Sequence, residues 1–140
     1  MKVLKSWLQQ HIVESLPSDE KITEAFTFKS SEVEGIEKVK VNGIDDTVFD
    51  LKVLPDRAHD CLSHYGIAKE ISVIFNKPII HPNNNSFSVG VKSDLQIEVK
   101  NTNCRRYMGR VVNGVKVGPS PDWLSKALIS IGQKSINNIV

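Results

Sequence analysis

The densest group of chemistry-bearing residues is Asp56-Arg57-Ala58-His59-Asp60-Cys61-Leu62-Ser63-His64. One reading is a zinc site built from His59, Cys61 and His64, with Cys104 as a fourth ligand. Four residues separate His59 from His64, a spacing that zinc-binding histidines use. Against it, Cys61 has no neighbouring cysteine, and on a helix His59 and His64 point well apart. A second reading makes Cys61 a nucleophile whose thiol is acidified near a helix N-terminus, with His64 one turn on as its base. No orienting residue and no oxyanion loop accompany that pair. The third reading is a helix start. Asp60 then favours the helix dipole, Arg57 pairs with a carboxylate, and Cys61 packs as a small apolar group. This third reading is preferred, so neither a catalytic residue nor a metal ligand is expected in the segment.

A second cluster is Cys104-Arg105-Arg106-Tyr107, followed by Arg110. If this stretch is a strand, Arg106 and Arg110 share a face. Basic and aromatic side chains together suit contact with RNA phosphates and bases. The plainer alternative is an exposed strand start. Trp7 and Trp123 both fall on apolar helical faces and are expected in the core. The sequence contains no Gly-x-Gly-x-x-Gly, no P-loop, no His-Glu-x-x-His and no Gly-x-Ser-x-Gly. Nothing in it calls for a nucleotide cofactor.

The elements that must position these residues belong to a chain of 140 residues, enough for one ordinary domain or two small modules. Apolar residues make up 40%, sufficient for a core, and no apolar run approaches a membrane span. With 18 Lys and Arg against 16 Asp and Glu, the net charge of +2 gives no strong field for nucleic acid. No secretory signal opens the chain. Its 2 cysteines are too few for a disulfide framework, so a reduced, cytoplasmic protein is the expectation.

Val3, Leu4, Trp7, Leu8 and His11 or Ile12 recur at helical spacing and predict a first helix. Pro17 breaks it. Ser18 is a plausible N-cap for a second helix carrying Ile22, Ala25, Phe26 and Phe28. Alternation then predicts strands over 33–41 and 47–54, joined at the turn signal Asn42-Gly43. Val48 falls on the face opposite Phe49, Leu51 and Val53. A further helix presents Ile67, Ile71, Ile74 and Phe75, with Ala68 at its edge, and stops at Lys77-Pro78. The expected organisation is a first module over 1–78, a linker over 79–93 and a second module over 94–140. In the second module, strands are predicted at 95–99, 107–112 and 115–117. Ser120 and Pro121 open a last helix with Trp123, Leu124, Ala127, Leu128 and Ile131 on its apolar face, and Gly132 ends it. The final Ile136-Asn137-Asn138-Ile139-Val140 reads as the opening of a strand, so the chain is expected to be a fragment or a truncated product.

Three stretches resemble the N-terminal part of the beta subunit of bacterial-type phenylalanyl-tRNA synthetase. The opening Met1 to Leu8, together with Phe28 and Ser31-Glu32-Val33-Glu34-Gly35-Ile36, is similar to that family's first helix and its F-E-V-E-G-I segment. Ser31 stands where the family usually has an aromatic or similar apolar residue. Leu54 to Ile71, which contains Arg57, Asp60, Cys61 and Gly66, resembles T-P-N-R-x-D-C-L-S-x-x-G-I-A-R-E. Arg106 to Val112, Gly118 to Leu124 and Ile136 to Val140 resemble the start of the subunit's next domain. Two departures stand out. The tRNA-binding oligonucleotide-fold domain that usually separates the first two stretches is replaced by about ten residues, Glu37 to Asp46. Gln133-Lys134-Ser135 stands where the family often has Ile-Arg-Pro or Ile-Arg-Ser.

The resemblance implies an α+β fold: a helical hairpin, a β-hairpin and a helix forming a winged-helix-like, nucleic-acid-binding type of module. The incomplete start of a mixed α/β editing-type domain would follow. It implies a non-catalytic, scaffolding part of an aminoacyl-tRNA ligase that attaches phenylalanine to its tRNA. ATP and magnesium would act in the assembled enzyme rather than in this chain. The implied partners are the alpha subunit, in a heterotetramer, and tRNA; no membrane is implied. Arg57, Asp60, Cys61 and Gly66 would be structural. Arg105, Arg106, Arg110, Lys116 and Lys134 would touch RNA. The alternatives are a stand-alone RNA-binding module and a remnant of a domain that hydrolyses mischarged tRNA.

Overall fold

The computed structural model describes residues 1–82 and 94–140. They fall in two compact units, Met1–Pro82 with Gly118–Val140, and Asn83–Val117. Most of the expected linker, 83–93, lies outside the described residues. No described helix is long and apolar enough to cross a membrane.

The first unit is α+β. Its elements are β1 (Lys2–Leu4), α1 (Lys5–Gln9), α2 (Asp19–Lys29), β2 (Val33–Val41), β3 (Ile44–Leu51), a 3-10 turn (Pro55–Arg57), α3 (Ala58–Cys61), α4 (His64–Phe75) and α5 (Asp122–Ser130). The strands form an antiparallel sheet in the order β1-β3-β2. Asn42 and Gly43 sit at φ 54° and 80°, the left-handed pair a two-residue hairpin needs, so the predicted turn forms where expected.

The first predicted helix is cut short. Lys2, Val3 and Leu4 pair with Asp50, Phe49 and Val48, and only 5 residues, Lys5–Gln9, remain helical. Helical spacing and strand alternation both fit this stretch. The strand prevails because it buries Val3 and Leu4 completely on opposite faces of the sheet. Val3, Phe49 and Leu51 enter the main core with Leu8, Ile12, Ile22, Phe26, Cys61, Ile67, Ala68 and Ile71. Leu4 and Val48 face the other way, beneath Ala127 of α5. The predicted split of Val48 from Phe49 and Leu51 thus reflects a sheet covered on both faces.

The helix ends follow local chemistry. Ser18 Oγ accepts the Lys21 N–H as the predicted N-cap of α2. Phe28 does not join the core and is 81% exposed. Only two residues past buried Phe26, it points to the opposite side of the helix. After Gln9, its side-chain amide donates to the Ile12 and Glu14 carbonyls and accepts from the Leu16 N–H, organising the loop into α2. The predicted third helix is two, α3 and α4, with Ser63 as the N-cap of the second. Asn76, at φ 49°, closes α4 one residue before the predicted stop. Past it, Ile79 forms an isolated bridge with Ile12.

Ser120 does not cap α5. Pro121 occupies that position, and Ser120 Oγ is buried without a hydrogen-bond partner among the described residues. Trp123 is 56% exposed rather than a core residue. Gly132, at φ 77°, ends the helix as predicted. The strand expected at 136–140 does not form. Asn137 Oδ1 accepts the Ile139 and Val140 N–H groups, each at 2.8 Å, replacing ladder bonds with a local turn. Gly118 and Asn138 exchange two hydrogen bonds of 2.9 Å.

The described part of the second unit, 94–117, holds no helix or strand. The alternation that predicted strands at 95–99, 107–112 and 115–117 is present, but among the described residues no neighbouring strand pairs with it.

Candidate functional site

The Arg57 motif closes into one hydrogen-bonded group. The 3-10 turn and α3 carry Arg57 and Asp60 on one side of Cys61, and α4 brings Glu70 alongside. Arg57 Nε donates to both Asp60 carboxylate oxygens at 3.1 Å, and its terminal nitrogen donates to Asp60 at 2.8 Å and to Glu70 at 2.7 Å. Ser30, the C-cap of α2, donates to the other Glu70 oxygen at 2.8 Å. Three elements are therefore tied at one guanidinium, and α2 joins them through Ser30 and Glu70. Hydrogen bonds from Arg57 hold Asp60 at about 2 and hold Glu70 below the usual carboxylate range. The same bonds, first to Asp60 and then to Glu70, push the Arg57 guanidinium further up.

Asp60, Cys61 and Glu70 present ligand atoms within 4.8 Å of one another. Both carboxylates already accept hydrogen bonds from the Arg57 guanidinium, whose positive charge stands where a cation would sit, so this trio fits magnesium or zinc poorly. Asp60 stands in the first turn of α3, as expected, and also pairs with Arg57. Cys61 is buried, and burial pushes its thiol up rather than down, which removes the nucleophile reading.

Gly66 completes the motif. A Cβ there would lie 1.8 Å from the Asp60 carbonyl oxygen and 2.9 Å from its carbon. Only glycine lets the end of α3 meet the first turn of α4 this closely. The Gly66 N–H donates to Ser63 Oγ at 3.0 Å.

The histidines do not converge as metal ligands. His59 is exposed beside Asp60. His64 Nε2 accepts the Leu4 N–H at 3.0 Å, and its ring meets Trp7 edge-on at 4.7 Å. Burial, with His11 nearby, lowers His64 to about 4. Its neutral form therefore stabilises the fold. That contribution is complete above about pH 6.5 and is lost as pH falls from 6.5 towards 4. We expect a loss of about 2 kcal/mol across that window, after allowing for the ring's partial solvent contact. Urea unfolding at pH 7.5 and pH 5 measures it. His64→Gln, which keeps an acceptor for Leu4, flattens the profile; an unchanged slope in that variant would assign the effect elsewhere.

Asp19 is a second hub, and the sequence reading missed it. Lys5 and Lys38 both pair with its carboxylate, and Thr47 Oγ1 donates to it at 2.8 Å. Its side chain is 12% exposed. Burial alone would raise its pKa, but hydrogen bonds from Lys38, Lys5 and Thr47 outweigh that and hold it at about 2. Only the topology brings α1, β2 and β3 onto the start of α2, and no local pattern announces it.

Arg105, Arg106, Arg110 and Lys116 lie exposed in the irregular stretch 94–117, and Lys134 lies exposed after α5. Without a strand, Arg106 and Arg110 do not share a strand face.

Comparison with known proteins gives first a class. Residues 103–140 match the B3/4 domain. The relatives then give the particular family. A phenylalanine–tRNA ligase beta subunit from Bdellovibrio bacteriovorus is 50% identical over 101 residues, covering 70% of this chain and 12% of the relative. The beta subunit of Rhodopirellula baltica is 34% identical over 143 residues, covering 100% of this chain and 20% of the relative. That of Thermotoga maritima is 31% identical over 129 residues, covering 91% and 16%. The chain is a homologue of the phenylalanine–tRNA ligase beta subunits. It spans between 12% and 20% of the length of these relatives. The Rhodopirellula alignment uses 143 residues for the 140 here, which leaves no room for an inserted domain at the β2–β3 hairpin. No solved structure matches the chain.

Proposed function

We propose that the chain is a non-catalytic, architectural part of a phenylalanine–tRNA ligase, acting in the cytoplasm alongside an alpha subunit and in contact with tRNA. The observation that carries this reading is the Arg57 group. The motif with the densest chemistry spends its charges on one another, joining α2, the 3-10 turn, α3 and α4. A guanidinium held between two carboxylates is a fastener, not a reagent. On this reading 1–78 is a winged-helix-like module with β2–β3 as its wing, 79–93 is a linker and 94–140 begins an editing-type domain. ATP and magnesium then act on other parts of the assembled enzyme. With ATP, magnesium, phenylalanine and tRNA supplied, the chain alone forms no phenylalanyl-tRNA; product above background would overturn the reading.

RNA contact is assigned to Arg105, Arg106, Arg110, Lys116 and Lys134, all exposed. If these five residues neutralise phosphates, affinity for labelled phenylalanine tRNA falls about 100-fold between 50 and 200 mM salt. Absence of binding at 50 mM salt would leave a module that acts through protein partners alone. An editing remnant is the second reading, favoured by the B3/4 match over 103–140. It requires hydrolysis of tyrosyl-tRNA by the chain.

A further inference from the structure

We propose that the pocket between α1, the tip of the β2–β3 hairpin and α5 binds a single unpaired base of an RNA strand. The cavity measures about 200 Å³ and is lined by Trp7 of α1, Trp123 of α5, and Leu4, Val41, Ile44 and Ala127. It is smaller than the roughly 300–1,000 Å³ of a site for a whole cofactor, and it matches one ring system. Aromatic faces are the usual platforms on which proteins stack unpaired bases.

Ser6, Gln10 and Asn42 also line the pocket. Among the described residues, none of these three side chains makes a hydrogen bond, and amides of this kind pair with base edges. That decides between occupants. An apolar peptide anchor would cover Gln10 and Asn42 without satisfying them, whereas a base offers donors and acceptors along its rim. Asp46, at the wall, already accepts from the Ser6 N–H at 3.2 Å and the Thr47 N–H at 2.7 Å. Its negative charge repels phosphate, so the base enters and the backbone stays outside. The walls are built beforehand. His64 braces Trp7 edge-on and holds the Leu4 N–H, so little order must be gained on binding. This site uses none of the five basic residues and does not depend on them.

The chain has 2 tryptophans and both line the pocket, so its indole fluorescence reports occupancy directly. The probe is a single-stranded adenylate RNA octamer at 50 mM salt, compared with an abasic octamer of the same length. The expected result is quenching by the first and none by the second, with at least fivefold weaker binding in Trp123→Ala. Exposed Trp123 leaves the fold intact when removed, and Gln10→Ala, outside the hairpin turn, supplies a second, non-aromatic variant with a loss in the same direction. Equal binding of the abasic octamer would overturn the proposal in favour of phosphate contact alone. Quenching by an indole-bearing dipeptide but not by the octamer would overturn it in favour of a protein anchor. Unchanged affinity in both variants would also overturn it.

Discussion

Gly66→Ala lowers the melting temperature by roughly 10 °C. The added methyl would stand 1.8 Å from the backbone oxygen of Asp60, and backbone cannot rotate out of the way as a side chain can. Either α3 lifts from α4 or the first turn of α4 unwinds. The first separates Asp60 from the Arg57 it shares with Glu70. The second costs the Ser63 cap. Overpacking of this severity costs about 3–4 kcal/mol, a large share of the 5–15 kcal/mol that holds an ordinary domain. Gly35→Ala is the control, because nothing lies within 4 Å of a Cβ there. Thermal unfolding followed by far-UV circular dichroism compares them. Equal melting temperatures would remove the close approach as the reason for glycine at position 66.

Asp19→Ala is expected to cost about 2 kcal/mol, because it leaves Lys5, Lys38 and buried Thr47 facing one another without an anion. Asp19→Asn restores part of the loss by keeping an acceptor for Thr47, but not the charge. The pH dependence carries the signature. With Asp19 at about 2 in the folded chain and 3.8 ordinarily, its contribution is present above pH 3.8 and lost as pH falls towards 2. Urea titrations at pH 7 and pH 3 measure it: wild type loses about half of this increment by pH 3 and Asp19→Ala has none to lose. Identical midpoints for wild type and Asp19→Ala at pH 7 would show that the two lysines need no shared anion.

The legible parts of this molecule were those written locally. Asn42-Gly43 specified its own turn, Ser18 its own cap, and Ile67, Ala68 and Ile71 their buried face. Failures came where distant chain decided the outcome. Val3 and Leu4 fit a helix equally well until β3 offered them pairing. The alternation of 95–99 and 107–112 is a real strand pattern that lacks a neighbour among the described residues. In the site, Arg57, Asp60, Cys61 and Gly66 were marked by their resemblance to a family motif, and the pairing of Arg57 with a carboxylate was foreseen from residue type. The partner Glu70, thirteen positions away, and the fourfold junction at Asp19 were not, because charges this far apart in sequence meet only through the fold.

The proposed architectural role is tested most directly by sedimentation of the purified chain with the alpha subunit of a phenylalanine–tRNA ligase from the same source. The account predicts one faster-moving species containing both proteins, weakened by Gly66→Ala through loss of the folded module. Two independently sedimenting proteins at micromolar concentration, with the chain fully folded, would contradict it.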